Sequence, residues 1–289
     1  MRSRGPWVSV AVILLSAVAM LEASDDASEV AFKLSRTYLI VVSGAIGEFD
    51  RLNFVIDTGA VPSAINARLA KKLRLAGEVT SYSLLNRDVP VRHVTVPSLV
   101  LGPIRMQHVP VVAMDLSRIE QATGFRIDAI IGLDVLAQRG LRIDYKRKKI
   151  SFEPKAPSSA ATPVEIHYEA GSAYWLLPVQ VDGHTFRVLL DTGTNDIRFF
   201  TARVHANISS LATRHTAVTL NAGGEDRLEE VKLSELHIAG TVFRNQRAFL
   251  WKTPPDNMRD FDGLLGPTAL GVTRVQFDFE QRALVLDWH

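Results

Sequence analysis

Cysteine is absent from this 289-residue chain. That excludes disulfide scaffolds, zinc–thiolate sites, iron–sulfur clusters, cysteine nucleophiles and a lipid-modified cysteine anchor. Net charge is also nearly missing. Lys and Arg total 33 against 31 Asp and Glu, so nothing electrostatic argues for a nucleic-acid partner. No GxSxG occurs, which removes the elbow of a serine hydrolase. No P-loop or GxGxxG occurs, so nucleotide binding has no support. The eight histidines show no HExxH or paired metal spacing, and neither a metal nor an organic cofactor is expected. Hydrophobic residues at 47% and charged residues at 22% are ordinary globular usage and exclude a disordered or fibrous chain.

The first 23 residues read as an address. Arg2 and Arg4 precede an apolar run, Trp7 to Leu21, and Ala17-Val18-Ala19 or Ala23 offers a small-residue exit. This is the pattern of a secretory signal peptide, and the run is short for a spanning helix. A secreted or periplasmic protein is expected. No stable membrane association is expected unless this segment stays uncleaved as an anchor.

A repeat organises the rest. Asp57-Thr58-Gly59 follows the apolar strand pattern Leu52 to Ile56, and Asp191-Thr192-Gly193 follows Phe186 to Leu190. The two are 134 residues apart. At the same spacing, Asp128-Ala129-Ile130-Ile131-Gly132 matches Asp262-Gly263-Leu264-Leu265-Gly266, and Arg142-Ile143-Asp144-Tyr145 matches Gln276-Phe277-Asp278-Phe279. Upstream the spacing becomes 136, with Tyr38 matching Tyr174 and Gly47 matching Gly183. Length changes of this kind are best tolerated in a hairpin. A Pro-, Ser- and Ala-rich stretch, 154–163, reads as a linker. The units are therefore 28–153 and 164–289.

Both units read mainly as strands, the apolar runs being typical of strands buried on both faces. Asp182-Gly183 is a hairpin signal. Ile65, Leu69 and Leu73 recur at helical spacing and predict a helix over Ser63 to Leu73; Leu133 to Gln138 reads as a second, short one. The basic run Lys146 to Lys149 reads as a solvated hairpin turn between strands.

One Asp-Thr-Gly arises by chance in about one chain in twenty of this length. Two copies, each after an apolar strand and each upstream of an apolar-apolar-Gly, form a specific constellation. A buried carboxylate resists ionising unless hydrogen bonds compensate. Two such loops related by internal symmetry would meet across a twofold axis, and two adjacent carboxyls would share a proton.

On these residues the chain resembles the aspartic protease family, and in particular two bacterial retropepsin-like domains fused in tandem. The resemblance implies a mainly β, two-lobed acid-protease fold, each lobe a retropepsin-like β-barrel with one or two short helices. It implies Asp57 and Asp191 as the catalytic dyad of an aspartic endopeptidase, with Thr58, Gly59, Thr192 and Gly193 in support and a peptide or protein as substrate. It also implies a dyad that holds a single shared proton, as is known of the family. Because both halves lie in one chain, a monomer is expected. Asn221-Ala222-Gly223-Gly224 reads as a flexible substrate flap, whereas its counterpart near Asn86-Arg87-Asp88 lacks glycine. Pepsin-like members carry Ser or Thr after both glycines; here Ala60 follows the first and Thr194 the second. Ala60 cannot donate, so the two carboxyls are expected to be inequivalent. The rival reading is an inactive protease-like envelope protein that binds peptides.

Overall fold

The computed structural model describes residues 28–84, 87–152, 162–163, 165–169, 172–205, 213–221, 224–251 and 261–288. The N-terminal segment 1–23, linker residues 154–161, the first hairpin turn at Leu85-Asn86, and Ala222 and Gly223 lie outside the described residues.

The repeat in sequence is a repeat in space. The first eight-stranded sheet runs, in spatial order, Lys33–Ser35, Leu39–Ile46, Phe49–Ile56, Ala129–Ile131, Ala64–Asn66, Ile104–Met114, Arg87–Leu101 and Val79–Leu84. The second runs Glu165–Glu169, Ser172–Val181, His184–Leu190, Gly263–Leu265, Ile197–Phe200, Thr241–Trp251, Gly224–Ile238 and Thr213–Asn221. The orders match position by position. In each lobe the sheet also curls back on itself, Ala45 and Ile46 pairing with Val100 and Leu99, and Val179 to Val181 with Ile238 to Leu236. The change of spacing falls in the first hairpin, whose register shifts between Gly44 and Ile46, but it amounts to one residue and not two: the closing pair Ile46↔Phe49 corresponds to Val181↔His184, a spacing of 135. Its counterpart runs unbroken from Leu176↔Leu189 to Val181↔His184.

The strands leading to the Asp-Thr-Gly triplets are covered on both faces. Phe54 and Ile56 point into the large shared core, while Val55 packs in a second cluster with Leu39, Val112 and Ile130. In the other lobe Val188 and Leu190 face the shared core, and Leu189 joins Leu176, Phe249 and Leu264. Burial of each such side chain is worth about 1.5–3 kcal/mol, so these strands are firm supports for the Asp-Thr-Gly loops they carry.

A third, six-stranded sheet joins the lobes, in the order Glu29–Ala31, Lys149–Ser151, Leu141–Asp144, Val272–Asp278, Ala283–Trp288 and Thr162–Pro163. Across its middle Arg142 faces Gln276. These two are repeat equivalents. When two copies of one strand pair antiparallel, a residue meets its own equivalent only at the twofold axis, so this pair marks that axis. The Arg142 Nε donates to the Gln276 Oε1 at 3.0 Å.

The helix expected over Ser63 to Leu73 is shorter. Ala64–Asn66 is a strand, held between Ala129-Ile130 and Val112 to Met114. The helix spans only Ala67–Lys72, with the Asn66 side chain accepting from the Arg68 amide at its start. Sheet pairing on both edges overrides the four-residue spacing at Ile65. Leu133–Leu136 is helical within the expected Leu133 to Gln138, and Ser117–Thr123 is a further helix. The basic run turns between Leu141–Asp144 and Lys149–Ser151, where Arg147 and Lys149 pair with Glu29. Among the described residues no helix is long and apolar enough to cross a membrane.

Candidate active site

Each Asp-Thr-Gly loop leaves a strand that lies parallel to the apolar-apolar-Gly strand of its own lobe. Val55 pairs with Ile130 and Ile56 with Ile131; Leu189 pairs with Leu264 and Leu190 with Leu265. The parallel run continues into the loops, where the Asp57 amide donates to Ile131 and the Asp191 amide to Leu265, both at 3.0 Å. Gly132 and Gly266 are required by the crossing. A Cβ on them would lie 1.9 Å from the Ala60 carbonyl oxygen and 2.3 Å from that of Thr194.

The loops lock together through their threonines. The Thr58 amide donates to the Thr192 hydroxyl (3.0 Å), and the Thr192 amide donates to the Thr58 hydroxyl (3.1 Å). Each hydroxyl in turn donates into the opposite lobe, Thr58 to Leu190 O (2.7 Å) and Thr192 to Ile56 O (2.9 Å). Both side chains are buried, so these four bonds are shielded from competing water.

This lock sets the two aspartates against each other. Each carboxyl lies half-buried and close to the glycine of the facing loop. The Gly59 amide donates to Asp57 Oδ1 at 2.9 Å and the Gly193 amide to Asp191 Oδ1 at 2.7 Å. Neither glycine tolerates a side chain here: a Cβ on Gly59 would sit 2.7 Å from the Asp191 Cγ, and one on Gly193 would sit 2.6 Å from Asp57 Oδ2. The family model for aspartyl proteases matches residues 42–135 and 177–269, one stretch in each lobe. Together the stretches cover more than half of the chain, and each holds one Asp-Thr-Gly and one apolar-apolar-Gly.

The chain belongs to the aspartyl protease family. No curated protein matches it.

In this family member the dyad is electrostatically uneven. Burial, followed by the charge and hydrogen bond of Asp191, holds the Asp57 carboxyl well above the usual carboxylate range. Burial also raises Asp191, but the hydrogen bond from Asp57, the Gly193 amide and the positive charge of Arg198 act against it. The hydroxyl that Ala60 lacks makes no bond at the matching position either, since the Thr194 hydroxyl is buried without a hydrogen-bond partner; Arg198, which replaces Ala64 of the first lobe, adds a positive charge that favours the ionised form of Asp191.

The structure adds residues that the motifs did not point to. In the first lobe Asp134 accepts from the Ser63 amide (2.8 Å) and hydroxyl (2.6 Å), and the Ser63 hydroxyl accepts from the Gly132 amide (2.9 Å). This brace ties the loop after Asp57 to the apolar-apolar-Gly strand. At the equivalent places the second lobe has Ile197 and Thr268, and a backbone bond from Gly266 to Asp196 takes over. Arg198, where the first lobe has Ala64, is a buried cation. A reading of the repeat for its mismatches, rather than its matches, would have found these positions. Of the flap residues, Asn221 and Gly224 pair across the closing end of a hairpin. Among the described residues no group of three or more His, Asp or Glu side chains could hold a metal ion.

Proposed function

We propose that this protein is an aspartic endopeptidase in which Asp57 and Asp191 share one proton. The observation that carries the reading is the close approach of two half-buried carboxyls on symmetry-related loops, held by reciprocal threonine bonds between the lobes. The ionised Asp191 takes a proton from a water molecule as the water oxygen attacks the scissile carbonyl. Protonated Asp57 donates to the carbonyl oxygen, giving a neutral gem-diol. Asp191 then passes its proton to the amide nitrogen while Asp57 takes one back from a gem-diol hydroxyl, so that the C–N bond breaks, amine and acid leave, and the dyad again holds a single proton. Thr58, Gly59, Thr192 and Gly193 hold the carboxyls in place, and the hairpin ending at Asn221 and Gly224 covers extended substrate. The protein acts as a monomer on peptides or proteins outside the cytoplasm, after removal of residues 1–23.

Cleavage of a peptide library by purified protein across pH 3–8 tests this. Asp57→Asn and Asp191→Asn should each lower turnover by at least about 10²–10⁴-fold, the usual range for a lost acid–base group, with the fold retained. Near wild-type turnover in either variant would refute the dyad. Peptide binding without cleavage in the wild type would favour a silent peptide-binding protein.

A further inference from the structure

The most uneven feature of the two lobes is Arg198. It lies on the strand Ile197–Phe200, opposite Phe249 and Leu264, in an otherwise apolar cluster. Its guanidinium is 5.9 Å from the centre of the Trp251 ring. One of its terminal nitrogens makes two bonds of different reach. It donates to Asp196 Oδ2 at 2.7 Å, on the loop leaving the second Asp-Thr-Gly, and to Thr219 Oγ1 at 3.0 Å. Thr219 belongs to the strand Thr213–Asn221, the outer stem of the second-lobe hairpin. The arginine therefore spans from the dyad loop to the hairpin stem.

The first lobe makes the same connection with other atoms. Its hairpin closes at Leu84 and Arg87, the second at Asn221 and Gly224. Counted from these closing pairs, Tyr82 occupies the place of Thr219. The Tyr82 hydroxyl donates directly to the Val61 carbonyl at 2.5 Å, on the loop after Asp57. A long phenol spans the gap in one lobe; a short threonine with an arginine relay spans it in the other. Ala64 stands where the arginine would be in the first lobe. Two unrelated solutions to one connection argue that the connection itself matters.

We infer that Arg198 is a positioning residue, fastening the second-lobe hairpin to the loop that carries Asp191 and so holding the substrate cover in register with the dyad. The inference rests on the proposed peptidase reading. Arg198 also acts by charge, since it favours the ionised form of Asp191. Other groups share this field. Asp196 pairs with the arginine, Asp57 lies beside Asp191, and the Tyr38 and Tyr145 phenols feel the Asp191 charge. Asp226 lies opposite Thr219 in the hairpin. The first-lobe helix Ser117–Thr123, which packs on the same stem, brings Arg118 and Glu120, and Glu120 is held by Arg68.

The test uses the full mature chain and the variants Arg198→Met, Arg198→Lys and Thr219→Val. Two readouts need no turnover: amide hydrogen exchange, and carboxyl-carbon NMR titration of the dyad. In Thr219→Val and Arg198→Met, the amides of Thr213–Asn221 should exchange about tenfold faster, as for one lost charge-assisted hydrogen bond. Those of Leu39–Ile46 should not change. The titration of Asp191, and with it the acid limb of the cleavage profile, should move to higher pH in Arg198→Met and stay in place in Arg198→Lys, which keeps the charge. Unchanged exchange in both Thr219→Val and Arg198→Met would overturn the tether, and an unmoved Asp191 titration in Arg198→Met would overturn the charge effect. If the wild type cleaves no peptide, the peptidase reading fails, while exchange and titration still decide the role of Arg198.

Discussion

At the scale of single residues, the site is made by side chains that oppose stability. Asp57 lies half-buried close to a second carboxyl, and burial pushes its pKa well up. A carboxyl raised in this way binds more protons folded than unfolded. It leaves stability untouched below the unfolded value of about 3.9, then destabilises the fold as pH rises from there towards the folded value. Asp57→Asn removes that penalty. Its thermal midpoint relative to wild type should rise between about pH 3.5 and about pH 7.5, measured by calorimetry. An equal gap at both pH values would show that the folded protein tolerates the Asp57 charge. The threonines act in the opposite sense. Thr58 and Thr192 each satisfy one amide and one carbonyl of the facing lobe, and buried groups left without such partners cost about 1–3 kcal/mol each.

Among elements, the loops after the two Asp-Thr-Gly triplets show how repeat copies diverge. In the first lobe Ser63, Asp134 and Gly132 form a closed polar brace. In the second, Thr268 stands at the place of Asp134 with a buried hydroxyl that has no partner. The two positions should therefore respond differently to substitution. Asp134→Ala should cost about 2 kcal/mol in urea unfolding, because two donors on Ser63 lose a charged acceptor. Thr268→Val, which deletes an unpaired hydroxyl at nearly constant volume, should cost under about 0.5 kcal/mol. Comparable losses at both positions would show that the brace adds nothing beyond packing. The same divergence made the brace and Arg198 hard to read from the chain. Ser63 and Asp134 are 71 residues apart, and neither belongs to a periodic pattern.

For the whole molecule, the decisive interface is internal. The lobes share a six-stranded sheet, a continuous core and the threonine lock. The central pair of that sheet favours the intramolecular arrangement. Arg142 faces Gln276 on the axis, whereas two first lobes pairing with each other would set arginine against arginine. Light scattering on the eluted protein should give the mass of one chain, and cleavage per molecule should not change on dilution. Activity that falls with dilution would mean that lobes pair between chains.

Much of this architecture is written locally. Buried strands announce themselves as apolar runs, tight turns as Asp-Gly, and the duplication as a constant spacing, so the two Asp-Thr-Gly loops and their partner strands were legible residue by residue. Those signals are short-range or repetitive, and pattern reading detects them. The start of the helix at Ala67 was not legible, because Ala64–Asn66 is a strand only through neighbours at 112–114 and 129–130. Nor was the strand Glu29–Ala31, which is held by Lys149–Ser151. Arg198 is the sharpest case. In the chain it is one cation after an acidic loop; folded, it joins Asp196 to Thr219 within reach of the Asp191 charge. How far Asp191 favours its ionised form depends on that placement, since a charge acts through distance in space and the low dielectric around it, and neither quantity exists until the chain has folded.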